Sequence, residues 1–479
     1  MNKVLMKWRN MSSPAKASIA FVFSSFILKG INFLTTPLFT RLMDSSEYGV
    51  IATYNSWISI IDIFACLGLT SVGVINVGLN EHREIKERKK YLSSMTGLCN
   101  VFTILAFILI FFIQKYLGQP IRINNTLIAV MFIHLFINPA QTFWMTAERY
   151  EYRYKLAFLI TVLSAVVRTV ISLIAVLLYT SNRGTVYIIS QEAGSALFTL
   201  PLYFYVLWSG KKLYDSALWK KTLIFAVALI PHYLSQHIMT SVDRIMIADM
   251  VSKSAAAIYS VVITFNAIGL LFWNAINSSL MPFTFKKLND KNERSMKNVI
   301  NLIIACYAVI CFTAALAAPE VLHILGPEEY QSGVYAVPPI ASVAFLTAVY
   351  HLYANIEFYY QKSREISSAT IVAAIVNVGL NFLLIPRFGF TAAAYTTMIS
   401  NMVLVAMHYF AYRKATETSV YDDRALLIIM LLCISGCLLC NLLYGNRWIR
   451  FSIALIILMV ALIRRKQIIK AIRKMREKE

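Results

Sequence analysis

Four charged residues interrupt otherwise apolar segments and could do chemistry there: Lys29, Asp62, Arg168 and Glu192. Inserting a charge at the centre of hydrocarbon costs at least about 2.5–3.5 kcal/mol, and such a side chain normally faces a partner or a wet cavity. Two readings are open. Asp62 and Glu192 pair with Lys29 and Arg168 and tie helices together. Alternatively, the cations form a pocket for an anionic headgroup, with Asp62 and Glu192 setting register or binding a coupling ion, H+ or Na+. The readings are compatible if the pairs exchange.

Each charge belongs to a polar stripe, because spacings of three, four, seven and eleven residues fall on one helix face. In the first half the stripes are Ser25, Lys29, Asn32 and Thr36; Asn55, Ser59 and Asp62; His134, Asn138 and Gln141; Thr161, Ser164, Arg168 and Ser172; and Glu192, Ser195 and Thr199. In the second half they are Asn266, Trp273 and Asn277; Thr347, His351 and Asn355; and Thr370, Asn377 and Asn381. For most Ser, Thr and Asn positions, interhelical hydrogen bonds of about 0.6 kcal/mol each account for the pattern.

Other reactive residue types give less. His232 and His237 are five apart and do not share a face, so structural hydrogen bonds are favoured over proton coupling. Asp243 and Arg244 are adjacent, so each is expected to find its partner elsewhere. Glu357 sits near a helix end and is read as hydrated. Cys433, Cys437 and Cys440 share a face without a His or carboxylate, which argues against a metal site and for small apolar side chains. No catalytic constellation and no metal site is expected. Gly68, Gly73 and Gly78 read as hinge or close-packing positions.

The elements that must position these groups are membrane helices. The 479 residues are 58% apolar and only 14% charged, against about 45–50% and about 25% in soluble proteins. A soluble enzyme is excluded. Apolar windows fall at roughly 17–40, 48–79, 91–117, 124–147, 156–180, 185–208, 222–248, 255–285, 298–318, 334–358, 367–385, 391–411, 425–443 and 448–463, about fourteen transmembrane helices of the length a bilayer needs. The net charge of +21 would suggest nucleic acid in a soluble protein, but here it marks topology. With the N-terminus cytoplasmic, 34 of the 45 Lys and Arg residues lie in inside segments and nine in outside ones, with Lys29 and Arg168 left within spans. Both termini are therefore placed in the cytoplasm, and no nucleic acid is expected. The basic N-terminus followed by a long apolar run is expected to be a retained first helix.

Loops on both sides are short. A glycan polymerase would be expected to carry a large external loop, and ATP-driven transport would require a P-loop, which the sequence lacks. Two stretches repeat: His134-Leu135-Phe136-Ile137-Asn138 in the fourth window and His351-Leu352-Tyr353-Ala354-Asn355 in the tenth, with Gly184 and Gly389 opening the sixth and twelfth. This supports two six-helix lobes in one orientation, residues 1–210 and 211–412, followed by two further helices and a basic tail over 413–479.

The stretch from Lys29 to Gly49, which opens Lys29-Gly30-Ile31-Asn32 and closes Ser46-Glu47-Tyr48-Gly49, resembles the start of the polysaccharide or O-antigen flippase family (Wzx-type). That family belongs to the multidrug/oligosaccharidyl-lipid/polysaccharide exporter superfamily. Asp243-Arg244 followed by Ala257-Ile258-Tyr259, and Ile385-Pro386-Arg387-Phe388-Gly389 followed by Ala392-Ala393-Ala394, are similar to it too. Ala257 departs from the family, which often has glycine there. The resemblance covers about residues 15–412. It implies an all-α integral membrane protein with two lobes around a central cavity, in the bacterial inner membrane. It further implies movement of an undecaprenyl-diphosphate-linked oligosaccharide between leaflets by alternating access, with membrane lipids and polysaccharide polymerase machinery as partners and no cofactor beyond a coupling ion. Read by chemistry and placement, Lys29 and Arg168 would bind diphosphate or acidic sugar. Asp62 and Glu192 would orient them or carry the ion, and Asn32, Asn266, Trp273 and Asn277 would complete the substrate contacts. A lipid II flippase is the close alternative. A drug-cation antiporter is a further one, although its cavity should be acidic.

Overall fold

The computed structural model describes residues 11–82, 84–118, 121–290, 293–416 and 419–463. Lys3, Lys7, Arg9 and the basic segment 464–479, which weigh in the topology reading, lie outside the described residues. A chain in lipid must satisfy its backbone polar groups internally, and among the described residues every regular element is a helix. Eleven of these helices are long and apolar enough to cross a membrane, or twelve if the pair Ser216–Ile224 and Leu229–Met250, bent by 61°, counts as one span.

The chain divides into two compact units, Met1–His237 and Ile238–Glu479. The first contains α1 (Ser13–Leu42), α2 (Ser45–Cys66), α3 (Val72–Glu81), α4 (Ile85–Tyr116), α5 (Asn125–Tyr150), α6 (Tyr154–Leu178), α7 (Arg183–Gly210) and α8 (Ser216–His237). The second opens with a π turn, Ile238–Val242, and continues through α9 (Asp243–Met250), α10 (Lys253–Asn289), α11 (Glu293–Leu316) and α12 (Ala318–Leu325). A 3-10 segment, Glu328–Ala336, leads into α13 (Val337–Tyr359), α14 (Ser363–Phe388), α15 (Phe390–Ala415), α16 (Asp423–Leu443) and α17 (Arg447–Ile463).

The expected fourteen spans are not reached among the described residues. Helix α7 is long enough but polar, with Arg183, Ser190, Gln191, Glu192 and Ser195. Its neighbours explain this: α7 packs on α2, α4, α5 and α6, so protein and not lipid meets much of its surface. Helix α17 is described over 17 residues. The window at 48–79 is also not one helix. Leu67 and Gly68 have φ of 52° and 66°, which ends α2, and the chain restarts as α3. A left-handed step suits Gly68, and a Cβ there would lie 2.7 Å from the Tyr233 ring.

In unit 1, α1 runs alongside α6. Phe23 stacks on Phe158 with centroids 6.4 Å apart, and Phe39 meets Tyr187 of α7 edge-on at 4.6 Å. Because Tyr187 lies just past the short connection from α6, the two contacts make α1 and α6 parallel. At the second contact's end, Arg183 Nη1 donates to the Leu42 carbonyl and the Gly184 N–H donates to Glu47 Oε2 at 2.7 Å. A Cβ on Gly184 would stand 2.3 Å from the Glu47 carbonyl oxygen. The Glu47-Tyr48-Gly49 stretch is thus the joint between the α1–α2 corner and α7.

In unit 2, α13 packs against α10, α11, α15 and α16 and is buried along nearly its whole length. Gly389, at φ 69°, turns α14 directly into α15. Asp243 starts α9 and is buried, and its carboxylate is encircled by donors. Tyr259 Oη donates at 2.7 Å and Thr397 Oγ1 at 2.6 Å to Oδ2, and Asn381 Nδ2 donates at 2.7 Å to Oδ1. Asn381 is held in turn by Thr396 and donates to Asn377 Oδ1. Arg244 donates to the Thr240 carbonyl at 2.9 Å, so each of the adjacent pair has hydrogen-bond partners elsewhere, as expected. Glu357 departs from expectation: it is not hydrated but fully buried, with His408 Nδ1 of α15 at 2.7 Å from its Oε1. The cause is α15, which covers this face of α13.

Two stability outcomes follow from these packings. Gly184→Ala should destabilise the protein by about 1–3 kcal/mol, as overpacking does, whereas Gly379→Ala, with nothing within 4 Å of its Cβ, should not; melting in detergent compares them. Asp243→Ala would strand three buried donors at about 1–3 kcal/mol each. It should lower the melting temperature far more than Asp243→Asn, and equal melting of the two variants would contradict this role for the carboxylate.

Candidate functional site

Helices α2, α5 and α7 bring three of the polar stripes of unit 1 together. His134 Nδ1 of α5 lies 2.5 Å from Glu192 Oε2 of α7. Tyr54 Oη of α2 reaches the other oxygen of Glu192 at 3.4 Å. Asp62 receives Thr70 Oγ1 at 3.5 Å. Beside Glu192, Gln191 donates to Ser172 at 3.1 Å and to Tyr187 at 3.0 Å, and two turns further along α7 Thr199 donates to Gln141 at 2.6 Å.

Sequence reasoning places His134 in a stripe but not among the site residues. The available signal is the repeated His-Leu-aromatic-x-Asn order, which marks a position where a helix of each half carries an imidazole.

The two cations are placed differently. Lys29 and Asn32 are exposed on α1 and Arg168 is half-buried on α6. Among the described residues neither Lys29 nor Arg168 makes a hydrogen bond or an ion pair, and the carboxylate of Glu192 belongs to His134. The ion-pair reading of these four residues is therefore not what this conformation holds. Gly194 of α7 lets the α6 backbone come close at Arg168, since a Cβ there would lie 2.7 Å from the Arg168 Cα. Counted from the stacked Phe23 and Phe158, Lys29 is six residues further along α1 and Arg168 ten along α6. At 1.5 Å per residue in a parallel pair, the two cations differ in depth by about 6 Å.

The second-half candidates are dispersed. Asn277 accepts from Asn355 Nδ2 at 2.9 Å, so its carbonyl serves the α10–α13 contact. Trp273 is fully buried, with its indole N–H donated to His351 Nδ1 at 2.8 Å. Such burial removes it from contact with any ligand in this conformation. Asn266 is half-buried, and its Oδ1 has no hydrogen-bond partner among the described residues. No cluster of three or more His, Cys, Asp or Glu side chains that could hold a metal occurs among the described residues. The three cysteines of α16 are buried and unpaired to one another by disulfide.

Solved membrane transporters share this architecture. The fold is similar to the lipid II flippase MurJ in its inward closed conformation, with a TM-score of 0.62 at 14% identity, covering 94% of this chain and 99% of that one. It is also similar to an inward-facing multidrug resistance transporter of the MATE family, at 0.61 and 12% identity, covering 82% and 97%. A transporter of the same superfamily from Pyrococcus furiosus gives 0.55 at 14% identity, covering 84% and 95%. At these identities the likeness is one of fold. In sequence, a protein of the Lsg locus of Haemophilus influenzae is 23% identical over 211 residues, 43% of this chain, and the match spans about half the length of that relative. Residues 15–288, more than half of the chain and including α1, α6 and α7 with their charges, match the polysaccharide biosynthesis protein family, and the chain is a membrane-spanning member of that family.

Proposed function

We propose that the protein is a flippase that moves an undecaprenyl-diphosphate-linked oligosaccharide, the repeat unit of a surface polysaccharide, across the bacterial cytoplasmic membrane by alternating access of two six-helix lobes. One observation carries this reading: two cations on adjacent parallel membrane helices, Lys29 and Arg168, make no hydrogen bond or ion pair among the described residues. An unanswered positive charge at membrane depth is costly, and a diphosphate would answer both at once. Two phosphorus centres span a few ångströms, in keeping with cations staggered by about 6 Å in depth. Asn32, one turn from Lys29, would take a phosphate or sugar oxygen, and Asn266, with its unpaired carbonyl, a sugar hydroxyl.

Family membership supports a role in polysaccharide biosynthesis by transport and not by catalysis, and the likeness to a lipid II flippase supports a lipid-linked cargo. The Pyrococcus furiosus transporter is described as having a binding pocket of reverse polarity that suggests a different function. A cationic pocket is likewise what separates this reading from export of drug cations. Glu192, held between His134 and Tyr54, and Asp62 are the groups to carry a coupling proton or sodium ion. The polysaccharide polymerase would be the partner downstream.

Lys29→Ala and Arg168→Ala should each reduce flipping of lipid-linked repeat units in proteoliposomes at least tenfold without changing the melting temperature. Full activity in both would remove the site assignment. Glu192→Gln should make flipping indifferent to an imposed ion gradient, and a gradient response equal to wild type would exclude it as the coupling group.

A further inference from the structure

Where α5 hands over to α6 in unit 1, a cavity of about 740 Å³ opens between the end of α5, the start of α6 and the last third of α7. Trp144, Tyr152 and Tyr205 line it together with Glu148, Lys155 and Leu156. Its charges are unequally committed. Arg153, which also lines it, forms an ion pair with Glu151 and approaches Glu148 at 3.9 Å. Glu151 is also bound by Arg88 at 3.3 Å. These two acids and two bases cancel. Lys155 is left exposed, with no hydrogen bond or ion pair among the described residues. A second cation stands close by, with the ammonium of Lys89 at 5.9 Å over the Tyr205 ring. The cavity therefore carries a positive surplus.

An apolar track begins at the same place. Leu156, Leu159, Leu163 and Val166 are 53%, 50%, 42% and 43% exposed, and their spacing of three and four residues sets them on one face of α6. From Leu156 to Val166 the track is about 15 Å long, the depth of one leaflet of a hydrocarbon core of about 30 Å. A headgroup-sized polar cavity with a lysine, aromatic walls of the kind that favour the membrane interface and an apolar track one leaflet deep have the shape and polarity of a phospholipid.

We propose that this cavity is a binding site for an anionic phospholipid of the leaflet it opens to. The phosphate lies against Lys155, the glycerol and headgroup between Trp144, Tyr152 and Tyr205, and an acyl chain along Leu156–Val166. The site lies apart from Lys29 and Glu192 and does not rest on the flippase reading. A lipid seated there would brace the α5–α6 turn, which Arg88 already ties to α4.

The test is native mass spectrometry of the full chain extracted from bilayers containing equal phosphatidylglycerol and phosphatidylcholine. Wild type should retain phosphatidylglycerol preferentially. Lys155→Glu should lower that retention at least about tenfold, while Lys115→Glu, at the other end of α4, leaves it unchanged. Equal retention by wild type and Lys155→Glu would overturn the proposal, as would equal retention of the two lipids by wild type. Preferential retention of undecaprenyl phosphate over phosphatidylglycerol at the same site would overturn it in favour of the cargo's own lipid. Displacement by millimolar inorganic phosphate would do so in favour of a free anion.

Discussion

Hydrocarbon cannot hydrate a charged side chain, so every one that enters it must be answered by the protein, by a wet cavity or by something bound. The same constraint makes the backbone helical throughout the described residues and explains where hydropathy fails as a guide. Helix α7 carries too many polar groups for lipid but suits a position among α2, α4, α5 and α6, which supply acceptors and donors. Its Gln191, Glu192 and Thr199 all end in hydrogen bonds to neighbouring helices or to its own turn.

What answers each charge differs by residue. Asp243 is met by neutral donors, with Tyr259, Asn381 and Thr397 each within 2.7 Å. Glu357 and Glu192 are met by imidazoles, His408 and His134. A histidine can give up its charge when its partner loses it, whereas an arginine cannot. Both carboxylates are thus met by an imidazole, while Lys29 and Arg168 have no carboxylate partner among the described residues.

Much of this is legible in the sequence, and the part that is not has a physical cause. Periodicity finds the stripes because helices fix which residues share a face, and the stripes of α2, α5 and α7 do converge. Adjacency correctly sends the hydrogen bonds of Asp243 and Arg244 to other partners. Periodicity says nothing, however, about which stripe faces which. Charge alone offers Glu192 the partners Lys29 or Arg168, and the packing of α5 against α7 gives it His134 instead. A place near a helix end implies hydration for Glu357, but α15 covers it, a fact of tertiary packing. The helix break at Leu67–Gly68 is hidden in a continuous apolar window because hydropathy does not register a left-handed φ; Gly68 is the available hint.

The two histidine–carboxylate pairs differ in a way that bears on the proposed site in unit 1. Glu357 and His408 are 0% and 1% exposed, so a proton or ion can reach them only if α13 and α15 part. Glu192 and His134 are 20% and 23% exposed, which leaves both groups partly desolvated and yet within reach of water. A group that must load and release an ion in each cycle needs that intermediate condition: full burial would make exchange slow, and full exposure would make its ion indistinguishable from bulk. Lys29 and Arg168, the cations without a carboxylate, lie in the same unit. Unit 2 places Asp243 and Glu357 out of reach and seals Trp273 behind His351. Of these charges in membrane-spanning helices, those of unit 1 are therefore the ones a solute can reach without unpacking the protein, which is why the proposed cargo and ion contacts are placed there.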